Sequence, residues 1–194
     1  MPITHTNRKG TVYYLHQGIT KTGKPRYYFA REPSERGIER IPDGYEITES
    51  VNGVVSLRRV TPQLISDLEV QAVKLAVQSH SHLRRYRVDV KKDAITIYEP
   101  VGGMIDEVMK KIWGGTIPDS TLERIRLENE RYAQYTPVMR FLLMDAEKRE
   151  FTVERMCYRG GMEGWLSLHR WGNIRSLGKQ YIHHLGKESF FDLC

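Results

Sequence analysis

The first third of the chain is dominated by short stretches in which apolar and polar residues alternate. Residues 11–17 and 26–31 alternate and are rich in Tyr and Phe, so both predict β-strands. The polar segment between them predicts a turn in which Gly23 adopts a positive φ and Pro25 closes the connection. Residues 1–10 lack any apolar period and predict a flexible tail.

A second pair of strands follows after a polar loop that is rich in Pro and Gly. Residues 45–49 and 54–59 flank the dipeptide Asn52-Gly53, which is a strong signal for a tight hairpin turn. Together with the first pair, these segments predict a small antiparallel β-meander over residues 11–60.

The hydrophobic period becomes helical after residue 60. Thr61 is the predicted N-cap of a helix and Pro62 its first residue. One apolar stripe of this helix consists of Leu64, Ile65, Leu68, Ala72, Leu75 and Ala76, and Val70, Val73 and Val77 widen it. Such a wide apolar surface predicts a helix that is well buried.

The rest of the chain mixes strand and helix patterns. Strands are predicted at residues 86–90, 94–98, 138–144, 151–158 and 165–168, and helices at residues 104–113, 120–134 and 173–185. The capping-box sequence Ser-Thr-Leu-Glu begins the second of these helices at Ser120. The fold class predicted is α+β, with a β-rich module at residues 11–60 and a mixed domain of helices and antiparallel sheet at residues 61–194.

Composition and charge narrow the possible functions. The chain has 194 residues, of which 40% are hydrophobic and 28% charged, and this balance is typical of a globular protein. The net charge is +6, and residues 1–60 contribute ten Lys and Arg against six Asp and Glu. This basic excess favours a polyanionic partner, and it favours the N-terminal third as the surface that meets it.

Several classes of protein are disfavoured by missing patterns. The sequence has no apolar run long enough for a transmembrane helix and no apolar segment typical of a signal peptide, so we expect a cytoplasmic protein without membrane partners. Cys157 and Cys194 form no CxxC pair, and a reducing compartment is therefore expected. No GxSxG, P-loop, GxGxxG or HExxH motif is present, so no catalytic residue, metal site or cofactor is predicted.

The first hairpin is the main candidate for function. Alternation places Tyr14 and His16 on one face with Arg26 and Tyr28, and we expect that face to be open to solvent. Tyr can stack on bases while basic residues meet phosphates. The predicted nucleic-acid footprint is Tyr14, Lys21, Lys24, Arg26, Tyr28, Arg31, Arg58, Arg59, Arg84 and Arg85. An ordinary hairpin is the alternative, because Tyr favours strands and Lys at a hairpin tip maintains solubility.

Two histidine-rich segments are weaker candidates. His80 and His82 could contact phosphate or chelate a metal, but no third ligand has suitable spacing. Cations at the end of a helix are also favoured by its dipole. His183 and His184 are adjacent in a predicted helix, so their side chains point about 100° apart and cannot share one ion well.

Two further functional classes remain open. A protein–protein adaptor would use an apolar seam at helical spacing together with the C-terminal SFFDLC; the seam residues are Met104, Val108, Met109, Ile112 and Trp113. An enzyme would require Glu99, Asp106 and Glu107 to converge around a metal ion. Cys157 lies within an apolar strand, where a thiol is usually inert packing.

Two resemblances accompany these patterns. Through TKTGKPRYYFA, IPDGYEI, LRR and HHLGKESFFDL, the chain resembles a bacterial protein family to which no activity, substrate or catalytic residue is attached. The first hairpin is also similar in outline to the three-stranded DNA-binding arms of some integrases, a likeness limited to residues 11–31. The leading prediction is a non-enzymatic protein that binds nucleic acid through this hairpin.

Overall fold

The computed structural model describes residues 1–102, 119–159 and 162–193. In chain order, the described elements are β1 (Thr4–Thr6), β2 (Val12–Ile19), β3 (Pro25–Ala30), β4 (Tyr45–Glu49), β5 (Val55–Arg59), α1 (Asp67–Gln78), β6 (Arg87–Lys91), β7 (Ala94–Pro100), α2 (Asp119–Tyr132), β8 (Tyr135–Asp145), β9 (Glu150–Arg159), β10 (Met162–Gly172) and α3 (Ile174–Tyr181). Every pair of neighbouring strands is antiparallel. The fold is therefore α+β, as the sequence predicts.

The chain divides into two units. The first comprises Met1–Thr61 together with residues 119–133, and the second comprises Pro62–Gly102 together with residues 134–193. The sequence places a boundary near residue 60, and the first unit also ends its N-terminal part there. Helix α2, however, groups with the first unit, whereas the sequence assigns it to the domain at residues 61–194.

Two small sheets form the first unit. Strands β1, β2 and β3 make a three-stranded meander, and β4 pairs with β5 in a separate two-stranded sheet. Both predicted turns are present: Gly23 has φ +78° and Gly53 has φ +76°, values that glycine adopts without steric cost. The ring of Tyr27 meets that of Tyr45 edge-on, with 5.6 Å between centroids.

The predicted N-terminal tail is wrong. Thr4–Thr6 form β1 and pair with β2 in register with Tyr14, Tyr13 and Val12. The buried side chain of Asn7 fixes the turn that follows: its Oδ1 accepts from the backbone amides of Lys9 and Thr11, and its Nδ2 donates to the carbonyl of Gly53 at 2.7 Å. All three contacts are polar, and the one to Gly53 is distant in sequence, so hydrophobic periodicity contains no sign of them.

Arg8 links the N-terminal segment to the end of α2. Its guanidinium donates to the carbonyls of Glu130 and Arg131, in the last turn of the helix, where carbonyls have no partner within the helix, and to the carbonyl of Ala133, just after the helix. Arg131 returns a hydrogen bond from its Nε to the carbonyl of Lys9 at 2.8 Å. A cation at this position also complements the negative end of the helix dipole.

A five-stranded antiparallel sheet, in the order β10-β9-β8-β7-β6, forms the second unit together with α1 and α3. Its core gathers side chains of the sheet, such as Ile95, Phe141 and Val153, and of the helices, such as Val73 and Leu177. The neighbours in register, Ile95–Phe141 and Phe141–Val153, show that these sheet residues occupy one face.

Helix α1 begins later than predicted. Ser66, not Thr61, is the N-cap, and the carboxylate of Glu69 accepts from both the amide and the hydroxyl of Ser66 at 2.8 Å. The sequence Ser-Asp-Leu-Glu is a capping box that outcompetes the Thr-Pro signal. Arg149 reinforces it by donating two hydrogen bonds to the same carboxylate.

The burial of α1 also differs from the prediction. The three valines Val70, Val73 and Val77 are buried in the core. Leu68 and Leu75, in the stripe expected to be buried, are 72% and 61% exposed. Ile65, in the same stripe, is buried in the core, so the stripe is exposed at its leucines rather than throughout.

Helix α3 matches its local signals. Asn173 is the N-cap and its side chain accepts from the amide of Ser176 at 2.9 Å. A short 3-10 turn at Ile182–His184 follows α3, and Gly186 ends the segment with φ +73°. Across the described residues, we find no helix both long and apolar enough to cross a membrane.

Candidate nucleic-acid interface

The register of the first hairpin places the predicted aromatic and basic residues on one face. Across the two strands, Tyr14 lies opposite Ala30, His16 opposite Tyr28, and Gly18 opposite Arg26. Side chains directly opposite in an antiparallel pair share a face, so Tyr14, His16, Tyr28 and Arg26 all point the same way. The prediction that these residues share a face is confirmed.

That face is less open than the sequence predicts. His16 is 1% exposed, because its ring stacks on that of Tyr28 with centroids 5.4 Å apart and its Nδ1 is 2.9 Å from the hydroxyl of Ser34. The segment around Gly37 also pairs with β2 at His16 and covers this edge. The prediction that His16 is open to solvent is therefore wrong, because a loop that is distant in sequence and contains Ser34 and Gly37 covers it.

Tyr14 and Tyr28 keep part of their surface. Both are half-buried, so neither is lost to the core. Tyr28 has one ring face against His16, and this stacking fixes the orientation of the aromatic pair. The platform for stacking is thus smaller and more rigid than an open row of aromatic side chains.

The basic residues of the hairpin are the exposed part of the predicted footprint. Lys21 and Lys24 lie at the turn, and Arg26 and Arg31 lie at the two ends of β3. All four are exposed, and no carboxylate among the described residues forms an ion pair with them. A turn built on Thr20 holds the two lysines, because the Thr20 hydroxyl accepts from the Lys24 amide at 3.1 Å.

The second hairpin contributes less free charge than predicted. Arg58 donates to the carboxylate of Glu46 at 2.8 Å, across the β4–β5 pair. Arg59 donates to the hydroxyl of Tyr45 at 3.3 Å, and its guanidinium lies 5.9 Å from the centre of that ring. Both side chains are exposed but already have partners, so each would have to give up a contact to meet a phosphate.

The remaining two predicted residues, Arg84 and Arg85, belong to the second unit. Arg84 is exposed and caps the 3-10 turn at Ser81–Leu83, and Arg85 is half-buried. Arg36, which no sequence pattern singles out, is an exposed residue whose carbonyl accepts from the amide of Gln17 on β2 at 3.0 Å. Its position in a loop with no strand pattern left no signal that it would lie along the hairpin.

The histidine segments lie in the second unit, where structure brings them together. The rings of His80 and His82 are 5.7 Å apart and those of His183 and His184 are 3.9 Å apart, measured between centroids. Burial lowers the pKa of His80, and the positive charges that His82, Lys187 and His183 can carry lower it further. Within the described residues, no group of three or more His, Cys, Asp or Glu side chains could hold a metal ion.

Of the three carboxylates predicted for an enzyme site, only Glu99 lies among the residues that the structure describes. Glu99 lies in a cavity of about 680 Å³ that Arg155, Cys157 and Lys187 also line. Burial raises the pKa of Glu99, and the hydrogen bond from the hydroxyl of Tyr86 opposes this rise. Asp106 and Glu107, its expected companions, lie outside the described residues.

The surfaces predicted for a protein partner are only partly described. The apolar seam of Met104, Val108, Met109, Ile112 and Trp113 lies outside the described residues. At the C-terminal end, Phe190 is buried and Phe191 is 71% exposed. The buried Arg155 donates to the carbonyls of Leu193 and Phe191, and these bonds hold the terminal segment against the sheet.

The chain was compared with protein families, curated proteins and solved structures. No protein-family model, no curated protein and no solved structure matches the chain. The geometry of its own residues is therefore the basis for any functional assignment.

Proposed function

We propose that this protein binds nucleic acid through the β2–β3 hairpin of its first unit and has no enzymatic role in doing so. The observation that carries the proposal is the set of four exposed cations, Lys21, Lys24, Arg26 and Arg31, on one hairpin with no carboxylate partner among the described residues. Exposed basic residues on a rigid β-ribbon are suited to follow a phosphate backbone.

The aromatic residues suit a secondary role. Tyr14 and Tyr28 lie on the same face as Arg26 and are half-exposed, so a base can stack on them while a phosphate meets the guanidinium. Because Tyr28 already stacks on His16, little conformational freedom is lost when a base is added. Neither tyrosine has a hydrogen-bonding pattern that would select one base, and we therefore propose binding with little sequence preference.

The proposed footprint is narrower than the sequence predicts. Arg58 and Arg59 are held by Glu46 and Tyr45, and they contribute only to the general positive field. We place this activity in the cytoplasm, where nucleic acid is accessible and a free thiol such as Cys157 remains reduced.

The test is a fluorescence-anisotropy titration of the full chain against labelled mixed-sequence duplex DNA and single-stranded RNA. Affinity should fall steeply between about 50 and 200 mM salt, with a log–log slope near −3.6 on duplex DNA if four phosphates are neutralised. Replacing Lys21 and Lys24 together with Ala should reduce the magnitude of that slope by about 2, and Arg26→Ala by about 1.

Arg58→Ala is the matched control, because it removes an arginine that is also exposed but is already paired with Glu46. It should change neither the slope nor the affinity beyond a small general effect. The proposal is wrong if neither nucleic acid binds at about 50 mM salt. It is also wrong if Arg58→Ala weakens binding as much as Arg26→Ala.

A further inference from the structure

The second unit has an open groove between α1 and α3. The two helices approach closely where small residues meet: a Cβ placed on Gly178 would lie 3.8 Å from the Cβ of Ala76. A cavity of about 770 Å³ lies along this contact, and Ala72, Ala76 and Gly178 are among the residues that line it. Small side chains thus leave a shallow trough at the surface rather than an enclosed pocket.

On the α1 side, the groove carries two uncovered leucines beside the polar side chains of Gln71 and Ser79. Leu68 and Leu75 are two helical turns apart, both line the groove, and both are mainly exposed. The opposite stripe of α1, with Val73 at its centre, already supplies the core contact. Ala72 and Ala76 beside them already pack against the core, so Leu68 and Leu75 are the uncovered part of this apolar surface. Exposed leucines beside a packed seam are typical of an interaction surface.

The other side of the groove is cationic. Arg175, Lys179 and His183 line it from α3 and the turn that follows, and His80 lines it after the end of α1. None of the residues that line the groove is Asp or Glu. Behind His80 lie further positive or titratable groups, His82 and Lys187. An apolar stripe beside a row of cations is complementary to a partner with leucine-like residues along one face and carboxylates beside them.

We propose that this groove is the docking site for an acidic amphipathic helix of a partner protein. Helix α1 spans twelve residues, or about 18 Å, so a partner helix of three to four turns matches its length. Apolar residues at i, i+3 or i+4 and i+7 would cover Leu68 and Leu75, and carboxylates on the adjacent face would meet Arg175 and Lys179. This role is independent of nucleic-acid binding by the first unit.

Charge distinguishes this occupant from the alternatives. A second copy of the chain would bring two cationic rims together, which is unfavourable. A nucleic acid would satisfy the cations but leave Leu68 and Leu75 in water. An acidic helix satisfies both halves of the groove at once, and it would replace solvent around His80 with carboxylates.

The test uses a designed probe rather than an unidentified partner. A fluorescein-labelled peptide of about 14 residues, with Leu at helical spacing and Glu on the flanking face, is titrated into the full chain. A second peptide carries Lys at every Glu position. The acidic peptide should bind saturably, and the basic peptide should bind at least about tenfold more weakly.

Matched variants locate the binding to the groove. Lys179→Glu and Leu75→Ser should each weaken the acidic peptide about tenfold. Lys74→Glu changes an exposed lysine of α1 that does not line the groove, and Leu127→Ser changes an exposed leucine of α2; neither should alter the affinity by more than about twofold. Far-ultraviolet circular dichroism checks that every variant is folded.

A pH series supplies a second readout. Carboxylates beside His80 would raise the pKa of His80, which burial and the neighbouring groups His82, Lys187 and His183 now lower, so binding should take up protons. Affinity for the acidic peptide should therefore rise as the pH falls from about 7.5 to about 6.

Four outcomes would overturn the proposal. The first is the absence of saturable binding by the acidic peptide. The second is equal binding by the basic peptide. The third is equal weakening by Lys179→Glu and Lys74→Glu. The fourth is a dimer, seen by light scattering, that Leu75→Ser dissociates, which would assign the groove to a second copy of this chain.

Discussion

The contacts that stabilise the interior of the first unit differ in kind from those that stabilise the interior of the second. The second unit has a continuous apolar core, with Ile95, Ile97, Met139, Phe141 and Phe151 at its centre, all fully buried. In the first unit, the buried hydrophobic residues among those described are Leu15, Val55 and Ala133. An apolar core contributes most of the stability of a small domain, so the first unit depends more on other interactions.

Polar side chains supply many of the contacts that stabilise the first unit. The carboxylate of Glu49 accepts from the Arg8 amide at 2.8 Å and lies 3.1 Å from His5 Nε2, and Asn7 joins the turn after β1 to the turn between β4 and β5. Hydrogen bonds of this kind contribute about 1 kcal/mol each, far less than a buried aromatic side chain. We therefore expect stability to depend mainly on apolar packing in the second unit and mainly on polar contacts in the first.

The largest effect is expected at the centre of the second unit. Phe141→Ala removes a fully buried ring and leaves a cavity, which should lower the free energy of unfolding by about 3–5 kcal/mol. Urea denaturation measures the loss, and hydrogen exchange should assign it to peptides from β6 to β10. Phe191→Ala is the matched control, because that ring is mostly exposed; a similar loss there would contradict the role given to the core.

A smaller effect is expected for the polar contacts of the first unit. Asn7→Ala leaves the amides of Lys9 and Thr11 and the carbonyl of Gly53 without their side-chain partner, which should cost about 1–3 kcal/mol. Hydrogen exchange in peptides from residues 1–59 checks the location of the loss. Gln17→Ala, an exposed change on β2, should cost less than about 0.5 kcal/mol. Equal protection in both variants would show that Asn7 does not hold this unit.

The smallest effect tests whether polar contacts also matter in the second unit. Glu69 caps α1 and accepts from Arg149. Its partial burial alone would raise the pKa of Glu69, but the hydrogen bonds from Arg149 and Ser66 outweigh burial and lower it below 4.5. Glu69→Gln should therefore cost about 1 kcal/mol at neutral pH.

The pH dependence of that cost has a definite sign. Because the pKa of Glu69 is lower in the folded state, its contribution is complete above the unfolded pKa and is lost as the pH falls through the folded value. The difference in stability between the wild type and Glu69→Gln should thus shrink below pH 4.5. Glu147→Gln, an exposed change in the neighbouring turn, serves as the control. A difference that stays constant down to pH 3, about 1.5 units lower, would rule out this role for the Glu69 carboxylate.

Local signals in the sequence were sufficient for most of the secondary structure. Alternation predicted β2 and β3, the dipeptide Asn52-Gly53 predicted the β4–β5 hairpin, and Asn173 marked the start of α3. Each of these signals involves residues close together in the chain, where backbone preference and side-chain period decide the conformation. The shared face of Tyr14, Arg26 and Tyr28 followed from the same period.

Tertiary structure decided which contacts those strands and helices make. It placed β1 beside β2, buried His16 under Tyr28 and the Ser34 loop, and paired Arg58 with Glu46. It also left Leu68 and Leu75 of α1 exposed while the valines of the same helix entered the core, although all of them are apolar in the sequence. The sequence by itself therefore determined where most strands, turns and helices form, because those depend on neighbouring residues; β1 and the start of α1 are the exceptions. Which charges are free and which apolar faces are covered depends on residues far apart in the chain, and only the fold brings those together.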